Sequence, residues 1–421
     1  MKQNNGSWSE KYGYLNILSL FAIIFLTFLY LCETRGTITN RLFGGDYLAF
    51  WSAGRVANEA GYFSIYDSNL MKNAQLDVLH SLGYQDINFD YFPFPNLSIL
   101  VIPFVFLSKI NFLTSYWIWT IINWMFLLGY FVYFISQINP KHRKQRSLFI
   151  SLAVLLSFPT FNNLSWGQID AMFFICAGEI IRNSIQRKPF ITGIWIGLLV
   201  LKPQLIVLII PALLIQRSFS ILKGAIISGS LLTLSSLFIS GTKGFMGMIR
   251  LWLGFLPGMA SNFPEGMMNW RMVGLRFNDF FQNDLGWIIT VIGILITLFY
   301  TWLMIKKQPE IGSSEWVIVY MGVLAATCAM TWHSHVHMAM IIIPFLIYGF
   351  LNEKIPIYLI HIWVFIPLLM LLILGLILIS KNGFFSFYLL RDAHGFLAPF
   401  YLLINMIICY VISKLPHQIK T

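Results

Sequence analysis

The chain has 421 residues, of which 57% are hydrophobic and only 11% are charged. A soluble domain carries roughly 25% charged residues, so this composition excludes a soluble protein and predicts an integral membrane protein with many spans. The net charge of +11 does not indicate nucleic-acid binding, because the basic residues form short clusters between apolar runs, as in cytoplasmic membrane loops. The four cysteines lie in or beside apolar runs, which favours small apolar membrane residues over a disulfide framework.

The first third of the chain predicts two spans separated by a large polar loop. Residues 15–31 form the first span, and residues 34–95 form an external loop with interfacial helices, one of them at 52–58. The apolar piece at 97–107 is too short to cross a bilayer, so we expect it to lie at the outer interface. The next span leads to a basic cluster at 141–146 that fixes this end in the cytoplasm.

A broken helix is predicted in the middle of the chain. Short apolar pieces at 191–201 and 205–213 lie between two basic clusters, so an even number of crossings must join the clusters. A helical hairpin with Lys202 at its tip satisfies this requirement. A second external loop is predicted at 241–285. With the later spans, and with the hairpin counted as two, the total is about 12 crossings. The sequence therefore predicts a single all-α domain over 1–421, with both termini in the cytoplasm.

Asp46 is the strongest candidate for a catalytic residue. It follows the first span and is flanked by Tyr47, Phe50 and Trp51. Aromatic shielding predicts a raised pKa for the carboxyl, which suits a general base for a hydroxyl nucleophile. The alternative is that Asp46 caps the helix that begins there, and the two roles can coexist.

His333, His335 and His337 alternate within a short outer turn. The chain offers no second ligand cluster that would complete a metal site, so the pattern favours binding of an anionic phosphate or movement of a proton. Capping of a helix end is the alternative.

Two cations and a polar turn complete the candidates. Lys202 carries a point charge suited to a phosphate, and Arg55 can bind the same phosphate through two parallel hydrogen bonds. The alternative for Lys202 is that its ammonium extends to the lipid headgroups. The turn at 166–170 joins an aromatic residue, an amide and an acid, a grouping typical of sugar binding. The sequence has no nucleotide-binding glycine motif and no cytoplasmic segment large enough to hold a nucleotide. If the chain is an enzyme, its activated substrate must therefore be carried on a lipid.

Several stretches, taken in order, resemble the polyprenol-phosphate-sugar-dependent glycosyltransferases of the GT-C fold. The likeness is strongest to glycosyltransferase family 87, typified by the mycobacterial phosphatidylinositol-mannoside mannosyltransferase. The stretches that carry it are Gly45-Asp46-Tyr47, Tyr62, Tyr66-Asp67, Tyr91 with Pro93-Phe94-Pro95, Trp166-Gly167-Gln168-Ile169-Asp170, Lys202-Pro203 and Thr331-Trp332-His333-Ser334-His335-Val336-His337.

The resemblance implies a GT-C membrane enzyme at the outer face of a bacterial inner membrane. It would transfer a hexose, mannose foremost, from a polyprenyl phosphate to a lipid or glycan hydroxyl, with inversion and without a metal or other cofactor. Asp46 would be the base, and His337 and His335 would face the donor phosphate. Beside them we place Lys202 and Arg55 at the phosphate, and a sugar and acceptor group of Trp166, Gln168, Asp170, Tyr47 and Tyr91.

Two other functions stay open at this point. A transporter or flippase of lipid-linked sugars would need polar residues at the midplane of several spans, whereas the unusual polar residues here are concentrated on the outer side. A non-catalytic assembly partner would tolerate the loss of Asp46.

Overall fold

The computed structural model describes residues 8–40, 45–84, 91–138, 148–254, 266–382 and 389–416. Throughout these ranges the regular elements are helices, with one isolated β-bridge between Met267 and His335. The all-α fold class predicted from composition is confirmed.

The α-helices follow one another along the chain with short connections. In the described residues they are α1 (Trp8–Asn40), α2 (Gly45–Ala60), α3 (Ser68–Ser81), α4 (Ile102–Leu107), α5 (Phe112–Ile138), α6 (Leu148–Leu155), α7 (Phe158–Trp166), α8 (Asp170–Ile185), α9 (Pro189–Leu198), α10 (Ile209–Ile215), α11 (Phe219–Trp252), α12 (Trp270–Phe281), α13 (Gly286–Ile305), α14 (Ser314–Met330), α15 (Ile343–Leu351), α16 (Tyr358–Asn382) and α17 (Leu389–Lys414). Short 3₁₀ segments lie at Tyr62–Ser64, Ser98–Val101, Leu199–Leu201, Pro203–Ile206 and Val336–Ile342.

Six of these helices are long and apolar enough to cross a membrane: α1, α5, α11, α13, α16 and α17. The pair α6 and α7 adds a seventh span if its 42° bend is counted within one crossing. This pattern confirms a multi-pass membrane protein. The count of 12 crossings is not confirmed, because several of the predicted crossings are apolar helices of only 10–17 residues.

The first external loop is largely helical where it is described. The helix predicted at 52–58 is part of the longer α2, which begins at Gly45 and therefore carries Asp46 in its first turn. Asp67 caps α3 by accepting hydrogen bonds from the backbone N–H groups of Asn69 (3.0 Å) and Leu70 (3.1 Å). The short helix expected at 97–107 is confirmed as a 3₁₀ turn followed by α4.

The predicted break at Lys202 is confirmed. Its φ of −125° and ψ of 86° interrupt the helical backbone between two 3₁₀ turns. Helices α9 and α11 pack in close contact: a Cβ added at Gly193 would lie 2.0 Å from the Ile221 oxygen, and one at Gly197 would lie 2.4 Å from the Ala225 oxygen. These contacts advance in the same direction along both helices, so α9 and α11 run parallel. The segment between them must therefore turn back, as the hairpin requires.

The α9–α11 contact depends on small residues, because only a bare Cα lets two membrane helices approach this closely. We expect Gly193→Ala to separate the helices and to lower the free energy of unfolding by about 1–3 kcal/mol. The measurement is the melting temperature in detergent. Gly129→Ala in α5 is the control, since no atom of another described segment lies within 4 Å of its Cβ position. Equal melting of wild type and Gly193→Ala would contradict the close packing.

Candidate functional site

A chain of hydrogen bonds connects five side chains from four distant parts of the sequence. Gln168 Nε2 donates to Asp46 Oδ2 (2.6 Å), and Lys202 Nζ donates to Gln168 Oε1 (3.2 Å). Lys202 Nζ also donates to Asp170 Oδ1 (2.6 Å), and the other oxygen of Asp170 is hydrogen-bonded to His337 Nδ1. We call these five residues the polar cluster. The chain runs from the carboxylate of Asp46 at one end to the imidazole of His337 at the other, with Lys202 and a second carboxylate, Asp170, between them.

Helix α2 positions Asp46 through its packing on the α7–α8 turn. The Trp166 ring lies against Gly45, where an added Cβ would come within 2.9 Å of ring atom Cζ3. The residue Asp46 keeps part of its surface exposed. Burial of the carboxyl raises its pKa above the ordinary value, while His337, the Gln168 hydrogen bond and Lys202 oppose this rise. The result is a carboxylate that is held in place and has a raised proton affinity.

The α7–α8 turn is fixed from α5 by two aromatic donors. Gly167 ends α7 with a left-handed φ of 67°, and its carbonyl oxygen accepts a hydrogen bond from Trp119 Nε1 (2.9 Å). The Tyr116 hydroxyl donates to the Leu164 carbonyl oxygen (3.0 Å). Tyr116 and Trp119 lie four and seven residues after the start of α5, so the turn sits roughly 6–10 Å along that helix. These two hydrogen bonds therefore fix the position of Gln168, which follows Gly167, relative to the first two turns of α5.

Asp170 is fully buried, at 0% exposure. Its backbone N–H donates to Asn163 Oδ1 (2.9 Å), which fixes the start of α8. A buried charge is costly unless it is paired, and both Asp170 oxygens are engaged, one by Lys202 and one by His337. Asp170 has no surface left for a sugar. We therefore replace the predicted sugar contact at this residue with a role as a buried counter-ion.

The three histidine rings lie next to one another in series, the first pair edge to face and the second pair stacked. The His333 and His335 ring centroids are 4.7 Å apart, and those of His335 and His337 are 5.7 Å apart. His337 is 3% exposed and is the histidine that joins the polar cluster. Burial and the nearby Lys202 lower the pKa of His333 to about 3, so His333 stays neutral near pH 7. Within the described residues, no three His, Cys, Asp or Glu side chains meet as metal ligands.

The histidine segment is held by the residues that precede α12. The Met268 backbone N–H donates to the Ser334 carbonyl oxygen (2.7 Å). The Asn269 amide donates to the carbonyl oxygens of Thr331 (2.8 Å) and Trp332 (3.2 Å). Our sequence reasoning missed this role of Asn269. The available signal was an asparagine just before a helix, which predicts a cap, and Asn269 does cap α12.

Three of the predicted site residues lie apart from the polar cluster or inside the core. Arg55 pairs with Glu59 (2.7 Å) and Asp77 (2.9 Å) on an outer edge of α2. Tyr47 is 0% exposed, and its hydroxyl is hydrogen-bonded to Ser115, so it is a packing residue rather than a sugar contact. Tyr91 is 8% exposed, and burial raises the pKa of its hydroxyl to about 12.

Asn163 was also missed by the sequence reasoning. It fixes the Asp170 backbone and accepts the Gln168 backbone N–H at its carbonyl oxygen (2.9 Å). Its signal was a pair of asparagines, Asn162 and Asn163, in an otherwise apolar run, and both are fully buried. Polar residues buried in a membrane protein are expensive and point to a role in binding or in supporting a site.

The glycine at the α7–α8 turn is required by two constraints, which can be separated. In Gly167→Ala the left-handed φ costs about 1–2 kcal/mol, and the new Cβ lies 2.5 Å from Tyr47 Cβ, which adds about 1–3 kcal/mol of overcrowding. Gly254→Ala is the control, because Gly254 has a φ of 76° and, among the described residues other than its chain neighbours, no atom lies within 4 Å of the Cβ position. We expect the melting temperature to fall further for Gly167→Ala. Equal losses would show that Tyr47 does not confine the turn.

Comparison with known proteins identifies one family. The family model Glycosyltransferase family 87 matches residues 94–327, more than half of the chain. The matched range includes Gln168, Asp170 and Lys202, whereas Asp46 precedes it and His337 follows it. No curated protein and no solved structure matches the chain.

Proposed function

Since the chain belongs to glycosyltransferase family 87, this multi-pass membrane protein is a glycosyltransferase, and we propose that the polar cluster is its transfer site. The proposed donor is a polyprenyl-phosphate hexose, with mannose as the first sugar to test, and the acceptor is a lipid or glycan hydroxyl. The observation that carries the proposal is the hydrogen-bond chain that joins a carboxylate at Asp46 to the basic groups of Lys202 and His337.

Asp46 is proposed as the general base. Gln168 holds its Oδ2 atom at 2.6 Å, which leaves Oδ1 to take the proton of the acceptor hydroxyl. The partly exposed position at the start of α2 gives an acceptor a route to the carboxyl. A raised pKa suits a base, because proton transfer is most effective when the pKa of the base approaches the working pH.

Lys202 and His337 are proposed to bind the donor phosphate. In the reaction the acceptor oxygen bonds to the anomeric carbon while the bond from that carbon to the phosphate oxygen breaks. The electron pair leaves with the phosphate and the acceptor proton goes to Asp46, so attack from the opposite face inverts the sugar. The phosphate gains negative charge as it leaves, and nearby cations stabilise the transition state more than the ground state.

The charge distribution supports a site on the outer side of a bacterial inner membrane. The polar cluster is anchored near the Phe112 end of α5, and the opposite end of α5 leads to the basic residues at 141–146. Basic loops face the cytoplasm. We therefore propose that the site faces the periplasm and that both termini are cytoplasmic. The proposed partners besides the donor and acceptor are the surrounding membrane lipids, and no nucleic acid is expected to take part. That the reaction needs no metal or other cofactor stays a prediction.

The role of Asp46 is tested with purified protein and a panel of synthetic polyprenyl-phosphate hexoses carrying labelled sugar. Asp46→Asn keeps the shape of the side chain but cannot take a proton, so we expect transfer to fall by about 10²- to 10⁴-fold while donor binding persists. Glu59→Gln on the same helix, a residue paired with Arg55 at the surface, should transfer at the wild-type rate.

Equal transfer by Asp46→Asn and wild type would move the base elsewhere. If no donor yields transfer but the lipid moves across vesicles, the protein is a flippase instead.

The pH profile provides a second test of Asp46. The base works only when it is ionised, so activity falls as pH drops through its pKa. Because burial raises that pKa, the acid limb of kcat/KM should lie above pH 4, where an ordinary aspartate titrates. The Gln168 hydrogen bond lowers the pKa, so Gln168→Leu should move the acid limb to still higher pH. An acid limb that does not move would exclude Asp46 as the titrating group.

A further inference from the structure

We propose that Asp170 is a positioning residue that prepares the donor-phosphate site by holding Lys202 and His337 at the same time. The inference rests on the proposed function, since it takes these two groups as the phosphate ligands. Asp170 itself does not touch the substrate, because it is fully buried.

The geometry of the carboxylate carries this inference. One oxygen of Asp170 accepts from Lys202 Nζ at 2.6 Å and the other is hydrogen-bonded to His337 Nδ1. These partners come from separate segments, the tip of the broken helix and the 3₁₀ turn Val336–Ile342. Asn163 fixes the backbone of Asp170 from behind. A carboxylate can accept at both oxygens, whereas an amide has one accepting oxygen, so a neutral isostere cannot hold both groups in this way.

Asp170 also determines which atoms remain for a ligand. An ionised carboxylate only accepts hydrogen bonds, so the His337 Nδ1 atom that meets it must carry a proton. Nε2 is left for the phosphate, to which it donates when the imidazole is protonated at both nitrogens. The Lys202 ammonium has three N–H groups, of which one is directed to Asp170 and one to Gln168. One N–H therefore remains. The free site offers one ammonium N–H and one imidazole nitrogen in fixed positions, which lowers the cost of ordering them when a phosphate binds.

The competing explanation is that Asp170 and Lys202 form a purely structural pair. A buried cation left without its partner is strongly destabilising, whereas removal of both charges is often tolerated. The double variant Asp170→Asn/Lys202→Met separates the two explanations. A structural pair predicts that the double variant recovers both thermal stability and phosphate binding. Our proposal predicts that it does not recover phosphate binding, because a phosphate ligand has been removed.

The chain provides a matched control in the same helix. Glu179 is also a buried carboxylate of α8, at 5% exposure, and it accepts hydrogen bonds from Arg182 Nε (2.9 Å) and Tyr130 (3.0 Å). It lies nine residues after Asp170 and forms an ion pair with Arg182, which is three residues further along the same helix. Glu179→Gln removes a buried carboxylate without touching the polar cluster, so it measures the general cost of such a change.

The first measurement is made on wild-type protein, and a variant is used only to assign its spectrum. Histidine side chains are labelled with ¹⁵N, and His337→Gln identifies the His337 resonances by difference. We expect a protonated Nδ1, and we expect polyprenyl monophosphate to shift the Nε2 resonance while matched polyprenol does not. An unprotonated Nδ1, or an Nε2 resonance that polyprenyl monophosphate leaves unchanged, would overturn the proposal whether or not the protein transfers sugar.

The second measurement compares binding and kinetics across the variants. We expect Asp170→Asn to weaken binding of polyprenyl monophosphate and to raise the KM for the donor, each at least tenfold, with the KM for the acceptor unchanged. Glu179→Gln should leave all three constants unchanged. Wild-type affinity in Asp170→Asn, or recovery of both stability and binding in the double variant, would overturn the proposal. Phosphate binding that depends on Asp170 in a protein without transfer activity would instead reject only the proposed function.

Discussion

The buried ion pair between Asp170 and Lys202 is the interaction on which the rest of the site depends. Asp170 is the first residue of α8 and Lys202 interrupts the helical backbone between Leu199–Leu201 and Pro203–Ile206. In an apolar protein neither charge is stable alone. Their contact at 2.6 Å therefore ties the tip of the broken helix to the α7–α8 turn. His337 joins the same carboxylate and brings the histidine segment into this arrangement.

Each member of the polar cluster lies where a helix begins or is interrupted. Asp46 is in the first turn of α2, Gln168 follows the left-handed Gly167, and His337 is in the first turn of a 3₁₀ segment. Irregular backbone inside a membrane protein leaves polar groups unpaired, so it is tolerated only where other protein groups satisfy them or where it lines a cavity. Trp119, Asn163 and Asn269 provide such partners here. The polar side chains of the site therefore lie at a few breaks in the helices, where other residues satisfy the backbone.

Gln168 separates two parts of the cluster that must not neutralise each other. Its amide group donates to the Asp46 carboxylate and its oxygen accepts from Lys202. A base that paired directly with a lysine would lose much of its proton affinity. The intervening amide keeps the two charges connected but apart, and the buried Asp170 supplies the direct partner that Lys202 needs. This arrangement would let one small site contain both the proposed base and the proposed cationic phosphate pocket.

The sequence by itself determined the class of protein and several positions of the site. Composition and basic clusters indicate an all-α membrane protein, and Lys202 beside a proline predicts the break, because charge and helix geometry are local properties. The resemblance to glycosyltransferase family 87 rested on short motifs, and their order along the chain can be read without a structure. Asp46, Gln168, Lys202 and His337 were named from these patterns, and the structure links them in one hydrogen-bond chain in which Asp170 joins His337 to the rest.

Only the tertiary structure decided which side chains face one another. Arg55 follows Asp46 by nine residues, and at about 100° per residue it lies on the opposite side of α2, where it pairs with Glu59 and Asp77. Tyr47 adjoins Asp46 in sequence but points into the core. The sequence suggested a sugar contact at Asp170, whereas the structure makes it a counter-ion. Its partners are 32 and 167 residues away, so the surrounding sequence showed no sign of them. Rotation about a helix axis and contacts between distant segments come from packing, so neither could be assigned from the spacing of residues alone.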